Sequence, residues 1–264
     1  MSKKIVAIGG GGIGIKRGKN HETNDASLVI NEIIRLTEKK HPKFLYMCHT
    51  HPESVVRQQQ YFNSIDNILK YDYYCEGLFL STEDIKNNDL AREIVDQADI
   101  IYEDGGNTKI MINRWRKFGF DKILKVAYES GKVMCGLSAG ANCWFKACSS
   151  DYLKYEDGDM FAEFRSLDCL GFHEGFFVPH SDEMDRENSA KKFLKENDMI
   201  GLLVSNGAAL EIVDDKYRVL TGTPEHFRVF PYAKKAYWKD NKYYEEKLDL
   251  SLKFKDTSKL LEKN

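Results

Sequence analysis

The sequence predicts an α/β protein: a mostly parallel sheet covered by helices on both faces, with antiparallel hairpins at its C-terminal edge. Two observations carry this. In the first half, short apolar runs alternate with segments of helical apolar spacing, the pattern of strands joined by helical crossovers. Past residue 199 the runs shorten and crowd, with Asp214-Asp215 as a turn, the pattern of hairpins.

The elements follow in order. Lys4–Gly9 reads as a strand and Asn24–Lys40 as a helix, with Leu28, Ile30, Ile33, Ile34 and Leu36 on the helical period and Asn24 or Asp25 as its cap. Phe44–Cys48 is a strand, Ser54–Lys70 a helix, Tyr73–Leu80 a strand and Asn88–Gln97 a helix. Asp99–Glu103 is a short strand running into Gly105-Gly106, and Asn107–Lys117 and Asp121–Ser130 are helical. Lys132–Gly136 is a buried strand, and small residues after it open another helix over Ala141–Phe145. Gly175–Pro179 is a strand and Asp185–Glu196 a helix. Short strands follow at Ile200–Val204, Ala209–Val213, Tyr217–Leu220 and Phe227–Phe230.

The chain has 264 residues and is read as one domain, with a core over 1–230 and a lysine-rich extension over 231–264. Mean hydropathy is −0.51, and no apolar run approaches the roughly 18 residues a membrane span needs. Aromatic residues at 12% argue against disorder, and a net charge of −2 gives no sign of a nucleic-acid partner. The apolar run Ile5–Ile8 is too short for a signal sequence. Cys135, Cys143, Cys148 and Cys169 share one stretch without C-x-x-C spacing, so they read as reduced thiols of a cytoplasmic protein. The extension holds nine lysines, six acids and the aromatics Tyr237, Trp238, Tyr243 and Tyr244. It reads as an edge hairpin and a solvated terminal helix, lysine being a common guard of sheet edges.

The strongest chemical signal is Gly136-Leu137-Ser138-Ala139-Gly140, a G-x-S-x-G motif between a strand and a helix-capable run. Such a turn strains the serine backbone and leaves room only for small neighbours. The following helix points N–H groups at the serine oxygen, where negative charge would develop. Asp104-Gly105-Gly106-Asn107-Thr108 also joins a strand end to a helix start. Loops at the carboxyl ends of neighbouring parallel strands line one crevice, so this loop can lie beside Ser138 and donate an N–H; helix capping is its plainer use. A serine hydroxyl needs a base. Among seven histidines, His180 in Val178-Pro179-His180 sits at the end of an apolar strand, where a crevice loop begins.

Other signals carry less. Gly9, Gly11 and Gly14 fit G-x-G-x-x-G, but Ile15-Lys16-Arg17-Gly18-Lys19-Asn20-His21 does not form the packed helix of a dinucleotide site, and a loop near the crevice fits better. His49 and His51, with His41, Cys48 or Glu53, match no strong zinc spacing, so no metal site is expected. Cys143 is read as packing in the helix after the serine.

Gly-Leu-Ser-Ala-Gly-Ala-Asn at 136–142, Gly-Gly-Asn-Thr at 105–108 and Val-Pro-His at 178–180 resemble peptidase E in order and spacing. This is the serine aspartyl-dipeptidase family, to which cyanophycinase is related, and the resemblance spans about residues 1–220. It implies a three-layer α/β/α sandwich of the class I glutamine amidotransferase type. It also implies Ser138 as nucleophile, His180 as base, and the Gly106 and Ala139 amides as oxyanion hole. Asn107 and Arg186 become the candidates for holding substrate, Arg186 matching an arginine that helps hold the substrate aspartate. One position departs from the family: Asn206, in Val204-Ser205-Asn206-Gly207-Ala208-Ala209-Leu210, stands where an acid is usual. An asparagine can orient an imidazole but cannot stabilise imidazolium by charge. Asp151, Glu174, Asp182 and Glu211 are candidates to supply the acid.

The expected activity is hydrolysis of small peptides, including dipeptides with N-terminal aspartate, through an acyl-enzyme and without metal or organic cofactor. The expected partners are a small peptide and, as an option, a second copy in a homodimer, with neither nucleic acid nor membrane. The alternatives are an esterase or amidase on the same scaffold, or a binding or regulatory relative whose catalysis is lost through Asn206.

Overall fold

The computed structural model describes residues 1–11, 27–51, 54–159, 162–183, 185–223 and 229–263. The expected caps Asn24 and Asp25, Gly14, Glu53 and residues 227–228 of the last expected strand lie outside these, and residues 229–230 are not in a strand.

The first half alternates as expected: β1 (Lys4–Ile8), α1 (Ser27–Arg35), β2 (Lys43–Met47), α2 (Val55–Tyr71), β3 (Glu76–Phe79), α3 (Asn88–Gln97), β4 (Ile100–Glu103), α4 (Thr108–Phe118), α5 (Phe120–Glu129) and β5 (Val133–Leu137). The strands pair in parallel in the order β1-β5-β4-β2-β3. Alternate side chains of each strand face opposite ways. Val6, Tyr46, Tyr102 and Cys135 pack with Val29, Ile30 and Ile33 of α1 and Leu69 of α2. Ala7, Leu45, Ile101 and Met134 pack on the other face with Val95, Trp115 and Leu124 of α3, α4 and α5. Two separate apolar clusters, one per face, make the three layers of an α/β/α sandwich. Gly119, at φ 73°, ends α4 and lets α5 start in a new direction, a backbone state that glycine reaches without strain.

The serine region departs from the expected helix over Ala141–Phe145. α6 (Ala139–Asn142) is a single turn, and β6 (Phe145–Ser150) follows at once. Cys143, Trp144 and Phe145 are fully buried, so tertiary packing overrides helical continuation. α7 (Tyr152–Asp157), β7 (Arg165–Asp168), β8 (His173–Val178), α8 (Arg186–Asn197), β9 (Gly201–Val204), β10 (Ala208–Val213) and β11 (Lys216–Thr221) come next. The chain ends with β12 (Ala233–Lys239), β13 (Lys242–Lys247), β14 (Lys255–Asp256) and α9 (Ser258–Leu261).

β10 and β11 form the expected hairpin, antiparallel beside β1, with β14 beyond. The remaining strands build a second sheet, β13-β12-β9-β8-β6-β7, which the sequence pattern did not separate from the first. α8 covers one face of it through Ala190, Phe193 and Leu194, while Phe145, Phe177 and Leu202 join the core of the first sheet. The lysine-rich tail supplies two of its strands. Lys235 is buried there, donating to the Lys259 and Glu262 carbonyls at 3.0 Å each and pairing with Glu246 at 3.2 Å.

Candidate active site

The glycines of the serine motif have a steric cause. A methyl group on Gly136 would lie 2.4 Å from the Gly140 carbonyl oxygen, and one on Gly140 would lie 2.0 Å from the Glu103 carbonyl oxygen. Only bare backbone fits where β5 turns into α6 against the end of β4. Ser138 at the apex has φ 54° and ψ −110°. A non-glycine residue held there costs of order 1–3 kcal/mol, which the surrounding sheet must offset.

The extension of β1 ties the site together. The Ser138 N–H donates to the Ile8 carbonyl at 3.0 Å, the His180 N–H to Gly9 at 3.2 Å, and the Gly207 N–H to Gly10 at 2.9 Å. Gly10 and Asn206 form an isolated parallel bridge. Residues 138, 180 and 206 therefore hang on neighbouring positions of one strand end. His180 is itself at φ 50°.

This frame sets Ser138 Oγ 2.8 Å from His180 Nε2, and His180 Nδ1 2.7 Å from Asn206 Oδ1. Asn206 Nδ2 lies 3.2 Å from both carboxylate oxygens of Asp182, and the Asn206 backbone N–H donates to Asp182 at 2.7 Å. Carboxylate oxygens there require the NH₂ side of the Asn206 amide to face them. Oδ1 therefore faces the imidazole, Nδ1 carries the hydrogen, and Nε2 keeps its lone pair toward the serine. Burial pushes the His180 pKa below its ordinary 6.5; Arg186 adds to this, while Glu183, the Asn206 hydrogen bond and Asp151 oppose it. Nε2 is thus a free acceptor at neutral pH.

The glycine loop lies beside the serine, since a methyl group on Gly105 would sit 3.5 Å from Ser138 Cβ. Thr50 Oγ1 donates to the Gly105 carbonyl at 2.6 Å. In a trans peptide the N–H points opposite to the C=O, so this bond turns the Gly106 N–H away from Thr50. Gly106 has φ 142° and would place a methyl 2.8 Å from Thr50 Oγ1, so glycine is needed on both counts. Asp104 fixes the loop from the other end, accepting the Tyr46 hydroxyl at 2.5 Å and the Gly105 N–H at 2.8 Å. Asn107 is fully buried; its N–H donates to the Thr50 carbonyl at 3.0 Å and its Oδ1 caps α4 by accepting the Ile110 N–H at 3.1 Å. Its Nδ2 has no hydrogen-bond partner among the described residues.

Arg186 opens α8, almost fully buried, 3.0 Å from Asp151 and stacked 4.3 Å from the Phe164 ring centroid. Of the acids named from the sequence, Asp151 is thus bound to Arg186. Glu174 is exposed and pairs with Lys146 at 3.1 Å, and Glu211 is buried against Arg218 at 2.7 Å. Those three are held away from Asn206 by their own cations; Asp182 alone of the four touches it. Two residues of the site escaped the sequence reading. Gly10 abuts the imidazole–amide contact, and the signal for it was the run of four glycines, Gly9–Gly12, directly after β1. Glu183 Oε1 is 3.3 Å from His180 Nδ1, brought there by a turn in which the Glu183 N–H donates to the His180 carbonyl at 2.9 Å. The Ser-Asp-Glu run after His180 was its signal.

Of the discounted histidines, His49 has a structural place. His49 is fully buried, with Nε2 donating to the Leu80 carbonyl at 2.8 Å and Nδ1 accepting from Trp115 Nε1 at 2.9 Å. Burial lowers its pKa to about 4. Among the described residues no group of three or more His, Cys, Asp or Glu could hold a metal ion, and no helix is long and apolar enough to cross a membrane. All six cysteines are buried and none is in a disulfide, Cys148 and Cys169 having their sulfurs 3.6 Å apart.

An α/β sandwich that gathers a serine turn, a glycine loop and a histidine at one strand end has the form of a hydrolase scaffold. Residues 13–220 match the profile of peptidase family S51, and the chain belongs to that family. It is 29% identical over 218 residues to the uncharacterised peptidase YgaJ of Bacillus subtilis strain 168, covering 81% of this chain and 85% of that one. An uncharacterised peptidase of Pasteurella multocida strain Pm70 is 29% identical over 123 residues, 45% of this chain and 58% of that one. Among solved structures, a peptidase from an acI-B1 actinobacterium superposes with a TM-score of 0.66 at 20% identity, covering 97% of each chain. A protein assigned to peptidase E in Listeria monocytogenes EGD-e gives 0.59 at 14% identity, covering 84% of this chain and 100% of that one. The protein is therefore a hydrolase of the peptidase class.

Proposed function

We propose that this protein is a cytoplasmic serine peptidase that cleaves small peptides, dipeptides with N-terminal aspartate among them. The observation that carries the reading is the 2.8 Å contact between Ser138 Oγ and His180 Nε2 at a strained strand–helix turn. His180 takes the hydroxyl proton as Ser138 Oγ attacks the scissile carbonyl. The Gly106 and Ala139 amides stabilise the tetrahedral oxyanion. The C–N bond breaks, His180 returns the proton to the leaving amine, and an ester remains on Ser138. Water, deprotonated by the same imidazole, releases the acid and regenerates the serine. Asn206 holds the imidazole in the tautomer this requires. Arg186, buried against Asp151, and Asn107, buried at the start of α4, are the candidates for shaping the substrate site from behind its surface.

The test compares Ser138→Ala with the parent on Asp-Leu and Asp-p-nitroanilide. Removing a nucleophile of this kind lowers turnover by about 10⁶, so the variant should be indistinguishable from background. Equal activity in both proteins would remove the proposal.

A further inference from the structure

The asparagine at position 206 leaves a question of charge. An amide accepts the Nδ1 hydrogen of His180 but gives no electrostatic support when the ring takes the serine proton. Two carboxylates stand behind it. Asp182 meets Asn206 three times, at 2.7 Å to its backbone N–H and 3.2 Å from each carboxylate oxygen to Nδ2. Glu183 Oε1 is 3.4 Å from the same Nδ2 and 3.3 Å from His180 Nδ1. Both belong to the turn that follows His180, so one turn carries base and acids together.

We propose, building on the serine-peptidase reading, that Asp182 and Glu183 together replace the missing acid: Asp182 locks the Asn206 amide, and Glu183 supplies the negative charge beside the imidazole. They act as positioning and electrostatic residues and touch neither substrate nor serine. The division follows from distance. Asn206 Oδ1, at 2.7 Å, is the nearer acceptor for the Nδ1 hydrogen. Glu183 at 3.3 Å is too long for the main hydrogen bond but close enough to act through its charge, with the imidazole one-fifth exposed and the Glu183 side chain about half exposed, so that solvent screens part of the interaction. Asp182 prevents the amide from flipping, because a flipped Asn206 would set its carbonyl oxygen against two carboxylate oxygens. A flip would also present NH₂ to Nδ1, force the hydrogen onto Nε2 and remove the base. The other charged groups that bear on His180 are Arg186 at the start of α8 and Asp151 before α7. They are 3.0 Å apart and act on the imidazole in opposite directions; of the two carboxylates in the turn, Asp182 is engaged with the Asn206 amide and Glu183 has its oxygen 3.3 Å from the ring.

The experiment uses the full chain in three variants, Glu183→Gln, Asp182→Asn and the exchange Asp182→Asn/Asn206→Asp. It reads the His180 titration by NMR beside the pH profiles of kcat and KM on Asp-p-nitroanilide. Glu183→Gln should lower the His180 midpoint by about half a unit or more and move the acid limb of kcat/KM with it. Asp182→Asn should lower kcat about tenfold or more with KM within about threefold, and the exchange variant should recover most of that loss because carboxylate and amide merely trade places. Acids that only support the fold would leave the His180 midpoint and the limb unmoved in both single variants, and that result overturns the proposal. The NMR titration does not depend on turnover. A shifted midpoint in a parent that hydrolyses nothing, with Ser138 inert to a fluorophosphonate, would sink the peptidase reading while supporting the charge assignment.

Discussion

Gly10→Ala tests how closely the end of β1 governs the catalytic arrangement. The added methyl would stand 1.8 Å from Asn206 Oδ1 and 2.6 Å from His180 Nδ1, inside the hydrogen bond those atoms share. Carbon–oxygen contact needs well over 3 Å, so the amide oxygen must retreat by about 1.5 Å. That stretches a 2.7 Å bond beyond any useful length. A misplacement of about 1 Å costs roughly 10²-fold in rate, and loss of the correct imidazole tautomer about 10⁴-fold. The expected loss of kcat/KM is therefore about 10²–10⁴-fold, or about 3–5 kcal/mol of barrier. The cost in stability should be smaller, about 1–3 kcal/mol, as for other overpacked sites. Hydrolysis of Asp-p-nitroanilide, the rate of Ser138 labelling by a fluorophosphonate and urea unfolding measure the three quantities. A folded Gly10→Ala protein that keeps activity within threefold of the parent would refute the reasoning.

Three further outcomes are expected. Thr50→Val keeps the side-chain shape but loses the 2.6 Å bond to the Gly105 carbonyl; kcat should fall about three- to tenfold with KM nearly constant, and an unchanged kcat would detach Thr50 from the oxyanion site. His180 must be neutral to act as base and its pKa lies below 6.5, held down by burial, so kcat/KM should be level at pH 7 and fall only as pH drops below 6.5. A midpoint above 7 would contradict the buried-imidazole account. Arg218→Met strips the cation from Glu211, whose side chain is fully buried 2.7 Å away, and should cost about 3–5 kcal/mol at pH 7. Burial already raises the Glu211 pKa, so the folded variant gains a proton as pH falls, and the deficit in urea unfolding should be smaller at pH 5 than at pH 7; equal deficits would show that Glu211 is not the buried charge at issue.

Local signals were read well because their causes are local. The elbow at Ser138 rests on small residues within two positions of the serine, and the crossovers of the first half rest on apolar spacing within each element. The helix expected after the serine failed for a non-local reason. Trp144 and Phe145 belong to a core assembled from both sheets, and that core ends α6 after one turn. The same holds for β6 and β7, which needed a partner strand to declare themselves. The tail read as a lysine-rich edge, and the sequence could not show that Lys235 is buried, with its ammonium group closing the last helix.

What the linear order of residues determined by itself was chemical identity: a serine able to sit at a tight turn and a histidine at a strand end; that the amide at position 206 stands where a carboxylate is usual came from the resemblance to the family. The tertiary structure decided which groups meet. Positions 10, 138, 180 and 206 lie far apart along the chain, with 183 one turn beyond 180, and converge because β1 pairs with both β5 and β10 and its last carbonyls receive the Ser138, His180 and Gly207 amides. Distances of 2.7 to 3.3 Å between such groups depend on strand register and on one turn after β8, and a one-residue slip in either would scatter them.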